Sequence, residues 1–426
     1  MTPEFKSVLL ILDGLGDLPV PELADRTPLD VARTPHLDRL VAEGLCGLVD
    51  PMRPGVPVDT QTGTGVLLGL LPQDVARLTR GPVEAAGVGL TLQPGDVALR
   101  CNFATLEANG SGYRVLDRRA GRIDEGTGEL AELVASLPMP DGVQATLQPA
   151  AQHRGVLRLR GAGLSADISD TDPGTASAQG LVQTCQALRA DEPGALRTAE
   201  ALNTLLAQIP KAFGEHPVNA ARVSAGRPPA NGLLTRGAGE GRPVHNLLQH
   251  LDVSTAIVAG DRTALGLAAL SGFTRISHPT FTCLPDTDLE AKAGAALDAL
   301  ASHEFVFIHV KATDVLSHDC DPRGKADFLE RLDRVLGPVF EREDIVLGVA
   351  ADHSTSSRTG RHTGDPVPAL LRAPGGRRDR CTSFSEVSCM EGGLGRLTAS
   401  GFLRSMLDAA GAIGAYTPAD QDVYPA

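Results

Sequence analysis

VFIHVKATDVLSHD, residues 306–319, decides how the whole chain reads. Val306, Phe307, Ile308 and Val310 make a short apolar, β-branched run of the kind that forms a buried parallel strand. The composition then breaks, and Lys311, Asp314, His318 and Asp319 follow within nine residues. In open α/β sheets, ligands and reacting groups gather outside the carboxyl ends of the strands. A helical turn after the strand puts Asp314 and His318, four apart, on one face. A carboxylate and an imidazole so placed suit a divalent metal. Alone, the stretch would equally suit an N-cap aspartate and a surface histidine.

The pattern recurs twice. SVLLILDGLGD (7–17) is an apolar run ending in Asp13-Gly14, and DIVLGVAADHS (344–354) is another ending in Asp352-His353. His362 follows nine residues after His353, in RHTGDPVPALLRAP. Parallel strands of one sheet bring their carboxyl ends together. Three carboxylates and three histidines therefore converge with no special folding assumption. With a hydroxyl from PGVPVDTQTGTGVLLGLLP (54–72) they can hold two divalent ions, an arrangement suited to phosphoryl displacement. That loop feeds a helix N-terminus, where free N–H groups and the dipole hold a phosphate. Thr60, Thr62 and Thr64 are its hydroxyls, and any one of them could instead serve as a helix cap.

The length, 426 residues, suits two or three domains, and a 42% hydrophobic content supplies a sizeable core. A net charge of −13 argues against a nucleic-acid or anionic-membrane partner. Seven scattered cysteines without a CxxC pair point to free thiols in a reducing compartment. The N-terminal apolar run is too short for a signal peptide, and no stretch reaches the roughly 18 apolar residues of a spanning helix. A cytoplasmic protein is expected. Segments 26–44, 187–209 and 286–302 read as helices, the last capped by Asp286 or Thr287. Between about Glu84 and His250 the chain turns Arg-, Gly- and polar-rich, which suggests an inserted domain over 85–250 within a discontinuous core of 1–84 and 251–426. Arg118, Arg119, Arg122, Arg154, Arg227 and Arg236 could form a basic cluster there, and two or three would suffice to bind an anion.

LDGLGD, TPLDVARTPHLDRLVAEG, RGPVEAAGVGL, RCNFAT, DRRAG, DTDP, HPVN, PPANGLLTRGAG, IHVKATD, DHS, HTGDPVP and GGLGR run over nearly the whole chain. Together they resemble the archaeal-type, cofactor-independent phosphoglycerate mutases of the alkaline phosphatase superfamily. The resemblance implies an α/β fold: an alkaline-phosphatase-like, mostly parallel sheet core with an inserted α+β substrate-binding domain. It implies two divalent ions (manganese, magnesium or zinc) and no 2,3-bisphosphoglycerate. By motif match, Asp314, His318 and His362 would hold one ion. Asp13, Asp352 and His353 would hold the other, together with the nucleophile. Lys311 would meet the phosphoryl group, and Arg118, Arg119, Arg154 and Arg236 would bind substrate. The family serine is replaced. Counting back from Leu68-Gly69 and Pro72, Thr60 falls on it, with Thr62 the alternative. Asp117, Asp170 and Asp172 are acid–base candidates. The implied reaction interconverts 3- and 2-phosphoglycerate, a small phosphorylated substrate, through a phosphoenzyme. A related phosphatase or mutase acting on another phosphate or phosphonate ester is the alternative, and an oligomer is compatible with the sequence.

Overall fold

The computed structural model describes residues 3–110, 112–150, 152–174 and 180–414. They divide into two compact units, Met1–Arg77 with Val244–Ala426, and Leu78–Pro243. Both junctions fall earlier than the expected 84/85 and 250/251. Helix Arg80–Gly87 packs within the second unit, where a Cβ on Gly81 would sit 2.0 Å from the Ala98 carbonyl oxygen. Asn246, which caps helix Leu247–His250, donates to the Leu68 carbonyl (2.8 Å) and the Ser271 hydroxyl (3.0 Å) of the first unit.

The first unit is built on an eight-stranded sheet. Its order is Gly395–Thr398, Leu45–Asp50, Val367–Arg372, Ile345–Ala350, Lys6–Leu12, Phe305–Val310, Thr255–Val258, Thr274–Ile276. Val367–Arg372 runs antiparallel to both neighbours, and the other pairings are parallel. In the three central strands every residue but Lys6 is buried. That burial explains why they read as unbroken apolar runs rather than as alternating ones.

Three helical expectations change in detail, and the helix expected over 187–209 is Pro193–Gly214, started by Pro193 in its first turn. Segment 26–44 is two helices, Pro28–Val31 and Pro35–Glu43. Pro35 disfavours α geometry at Thr34, whose ψ is 65°. The helix expected over 286–302 is Leu289–Ala299, capped by Asp288, whose carboxylate accepts the Ala291 N–H at 2.9 Å. Asp286 instead receives the Thr282 hydroxyl at 2.6 Å in the preceding turn.

The second unit is α+β. Strand Val97–Asn109 pairs antiparallel with Gly112–Asp117, Arg154–Arg160 and Gly232–Glu240, and Gln144–Pro149 extends the sheet. Helix Pro193–Gly214 buries Leu202, Leu205, Ile209 and Phe213 in the same core as Phe103 and Leu157. No helix among the described residues is long and apolar enough to cross a membrane.

Candidate active site

Strand Lys6–Leu12 lies between Phe305–Val310 and Ile345–Ala350, parallel to both. Their carboxyl ends deliver Asp13, then Lys311 with helix Ala312–His318, then Asp352 and His353. The turn after the first strand can only be glycine: Gly14 has φ +67°, and a Cβ there would meet Thr355 Oγ1 at 2.7 Å and Asp314 Oδ1 at 2.9 Å. Beneath it, buried Lys325 donates to the Gly14 carbonyl and to Asp17, both at 2.9 Å.

Thr60 is the first residue of helix Thr60–Leu67. Asp59 caps the helix by accepting the Thr62 N–H at 2.9 Å. Thr60 Oγ1 lies 3.0 Å from Lys311 Nζ, 3.3 Å from His353 Nε2 and 3.5 Å from Asp13 Oδ1. Lys311 also donates to Asp13 Oδ2 (2.8 Å) and Asp314 Oδ2 (2.9 Å). Thr64 donates to Asp352 Oδ2 at 3.0 Å. The eight residues expected at the centre of the site, Asp13, Thr60, Lys311, Asp314, His318, Asp352, His353 and His362, thus lie in one continuous cluster. The side chains of Asp13, Asp352 and His353 form a fully buried floor, while Lys311 (19% exposed), His362 (21%) and His318 (44%) form the rim.

Burial raises the Asp13 carboxyl, but Lys311, then His309 and His353, outweigh it and hold the group well below its usual range. Burial likewise opposes the Lys311 charge, yet Asp13, Asp261 and Asp314 keep the ammonium above its ordinary value. Asp352 is pushed up by burial and by Asp13. Burial lowers His353, but Asp352 and Asp13 carry it up to about 9. Three carboxylates facing one ammonium leave a negative pocket that further cations would balance.

The hydrogen bonds fix which imidazole nitrogen faces that pocket. The Thr355 hydroxyl donates to Asp314 Oδ1 (2.9 Å), so toward His353 Nδ1 (2.9 Å) it accepts. His362 Nδ1 faces the Val58 carbonyl at 2.7 Å, and His318 Nδ1 faces that of Gly360 at 2.8 Å. With Nδ1 so engaged, His318 and His362 turn Nε2 inward, and His353 does the same on giving up its Nε2 proton, which leaves the tautomer of a metal-ligating histidine. Two ligand sets lie within reach of single ions: Asp314, His353 and His362, and Asp13, His309 and Asp352, the ligand atoms of each within 4.8 Å of one another. His318 Nε2 borders the first set, 3.2 Å from His362 Nε2 and 3.3 Å from Asp314 Oδ1. His353 borders the second, 3.3 Å from Asp13 Oδ1.

Sequence reasoning misses His309 and Thr355. His309 is 1% exposed, with Nε2 in ion-pair range of Asp13 Oδ2 at 3.3 Å, yet neither ring nitrogen has a partner in hydrogen-bonding geometry among the described residues. Such an orphaned buried imidazole fits a ligand position. The available signal was a lone polar residue inside VFIHV.

In the second unit, Arg100 stands opposite Arg236, and Asn102 opposite Arg154, across strand Val97–Asn109. Burial and the charges of Arg154, Arg119 and Arg100 push His153 down to about 4. Burial, offset by Glu84 and reinforced by Arg236, Arg154 and Arg80, brings Arg100 down to about 10. Arg119, Arg154 and Arg236 therefore share one basic patch with Arg80 and Arg100, which the sequence reading had not singled out. Arg118 is forked onto Asp172 (Nε to Oδ1 3.0 Å), while Arg122 and Arg227 are exposed in turns. Asp117 accepts the Arg119 and Gly121 amides (2.8 and 2.6 Å), and Asp170 accepts that of Gly237 (2.8 Å).

The family described as 2,3-bisphosphoglycerate-independent phosphoglycerate mutase matches residues 42–219. A relative of that name from Methanopyrus kandleri is 41% identical over 414 residues, covering 96% of this chain and 97% of its own. Another from Ignicoccus hospitalis is 40% identical over 393 residues, covering 91% and 94%. Among solved structures, a Pyrococcus horikoshii protein superposes with a TM-score of 0.81 at 31% identity, over 97% of this chain and 100% of that one. The cofactor-independent phosphoglycerate mutase of Thermoplasma acidophilum gives 0.70 at 31% identity, over 95% and 100%.

Proposed function

The chain belongs to the family of 2,3-bisphosphoglycerate-independent phosphoglycerate mutases, and we propose that the phosphoryl group it moves between the 3- and 2-oxygens of glycerate passes through Thr60 Oγ1. One observation carries this reading: the Thr60 hydroxyl stands at the head of a helix, 3.0 Å from the Lys311 ammonium, in a pocket floored by buried carboxylates.

Thr60 Oγ1 attacks phosphorus, the P–O bond to glycerate breaks as the new one forms, and the departing glycerate oxygen takes up a proton in exchange for the one Thr60 gives up. The hydroxyl proton faces an acceptor at Asp13 Oδ1 (3.5 Å), and His353 Nε2 lies 3.3 Å from the same oxygen. The Lys311 ammonium donates to the same oxygen and offsets its developing charge. In the return step the other glycerate hydroxyl attacks phosphothreonine, and Thr60 Oγ1 leaves as it arrived. Divalent ions held by Asp314, His318, His353 and His362 and by Asp13, His309 and Asp352 would supply charge neutralisation at the phosphoryl oxygens and a lower hydroxyl pKa at Thr60. Mixed carboxylate and imidazole donors favour manganese or zinc over magnesium, which prefers oxygen. In the second unit, Arg119, Arg154 and Arg236, with Arg100, supply guanidinium forks suited to carboxylate and phosphate, and Arg118 orders the patch through Asp172. Seven cysteines without a disulfide among the described residues fit a cytoplasmic setting.

Turnover of 3-phosphoglycerate by manganese-loaded protein, following 2-phosphoglycerate and inorganic phosphate together, tests the reading. Chelator-sensitive 2-phosphoglycerate without phosphate release is expected. Phosphate alone would mean that water resolves the phosphoenzyme, as in a phosphatase.

A further inference from the structure

Away from the candidate active site, three of the seven cysteines come together. Cys46 lies in strand Leu45–Asp50, Cys381 in the loop after Val367–Arg372, and Cys389 in helix Glu386–Glu391. The Cys46 and Cys381 thiols both point at the Ser388 carbonyl, at 3.8 and 3.5 Å. The Cys389 thiol, next to Cys46, points at the Ala369 carbonyl at 3.7 Å. Asp379 joins them: its carboxylate accepts the amides of Cys46 (2.9 Å), Gly393 (2.8 Å) and Cys381 (2.9 Å), which fixes it beside both sulfurs. Cys46 Sγ, Cys381 Sγ and an Asp379 oxygen all lie within 4.8 Å of one another.

Thiols are weak hydrogen-bond formers and gain little from one another's company. A carboxylate held among them by three amides adds negative charge, and no lysine or arginine among the described residues forms an ion pair with it. Two sulfurs and an oxygen already lie within reach of one ion, and the Cys389 sulfur beside Cys46 can complete the four donors of a structural site for a thiophilic divalent ion. We propose that Cys46, Cys381 and Asp379 bind one zinc ion, with Cys389 turning from the Ala369 carbonyl to complete the site, and that the ion ties the 373–385 loop and helix Glu386–Glu391 to strand Leu45–Asp50. Binding is written Zn2+ + 3 RSH → Zn(SR)3− + 3 H+, so it releases protons and strengthens as pH rises. No redox step is involved.

Cobalt separates this site from the catalytic one, whose ligands are carboxylates and imidazoles. Reduced full-length protein titrated with Co2+ is expected to develop one equivalent of a thiolate-to-cobalt charge-transfer band, bleached by one equivalent of Zn2+. Cys381→Ser, at a partly exposed position, should fold, lose the band and keep mutase turnover within about twofold. Cys283→Ser should retain both. Absence of a thiolate band in the reduced wild type, or its persistence in Cys381→Ser, overturns the site. A Cys46–Cys381 disulfide that forms with hydrogen peroxide in protein that binds no zinc does the same.

Discussion

At the scale of single residues, second partners decide what the site residues can do. Thr355 holds both His353 and Asp314, each at 2.9 Å, and thereby sets a tautomer and a carboxylate position at once. Thr355→Val keeps the shape and removes both hydrogen bonds. Loss of such an outer partner typically costs about 10–100-fold in metal affinity. Manganese titration should show that weakening with secondary structure unchanged, and unchanged affinity would remove Thr355 from the account. Glu386 gives a pH test remote from the ligands. Burial pushes its carboxyl from 4.5 up to about 7, against the opposing hydrogen bond from Thr27. The folded protein therefore keeps a proton that the unfolded chain releases. The stabilisation is complete below pH 4.5 and is lost as pH rises through about 7. At about 1.4 kcal/mol per pH unit, discounted for partial exposure, wild type should lose roughly 2 kcal/mol more than Glu386→Gln across that range. Urea unfolding at a series of pH values reads the difference, and parallel curves would contradict it. The metal-type residues at strand ends were legible because Asp and His interrupt apolar runs. His309 was not, since a single polar residue inside VFIHV carries no periodic mark, and only the neighbouring strand brings Asp13 to it.

At the scale of elements, the helix bearing Thr60 is placed by contact between backbones. A Cβ on Gly63 would lie 1.8 Å from the Asp352 carbonyl oxygen. That approach is what sets Thr60 and Thr64 against the end of strand Ile345–Ala350. Gly63→Ala should cost about 1–3 kcal/mol by overpacking. It should also cut kcat/KM far more than that instability explains, because the nucleophile moves with the helix. Gly294, on the exposed face of helix Leu289–Ala299 with nothing within 4 Å, is the matched control. There alanine should stabilise by about 0.5–1 kcal/mol. Thermal melts and kinetics of the two variants check the contrast, and equal behaviour would contradict the placement. Element types were mostly legible, but two features were not. Pro35 splits what reads as one amphipathic helix, and the antiparallel direction of Val367–Arg372 leaves no trace in an apolar run.

At the scale of the whole molecule, the two units carry different chemistry. The core sheet concentrates carboxylates, imidazoles and Thr60, and the inserted unit gathers Arg80, Arg100, Arg119, Arg154 and Arg236. The insertion was legible as a change of composition. Its junctions were less so, because helices Arg80–Gly87 and Leu247–His250 take sides through packing and capping rather than through residue type. Which arginines gather was also hidden, since Arg100 and Arg236 face each other only once their strands pair. The most direct test of the central claim is to quench metal-loaded enzyme in acid during steady-state turnover of 3-phosphoglycerate and map the phosphorylated peptide by mass spectrometry. The account predicts phosphothreonine at Thr60, absent from the Thr60→Ala protein, which should also lack turnover. Phosphate on Thr62, or full turnover by Thr60→Ala, would contradict it.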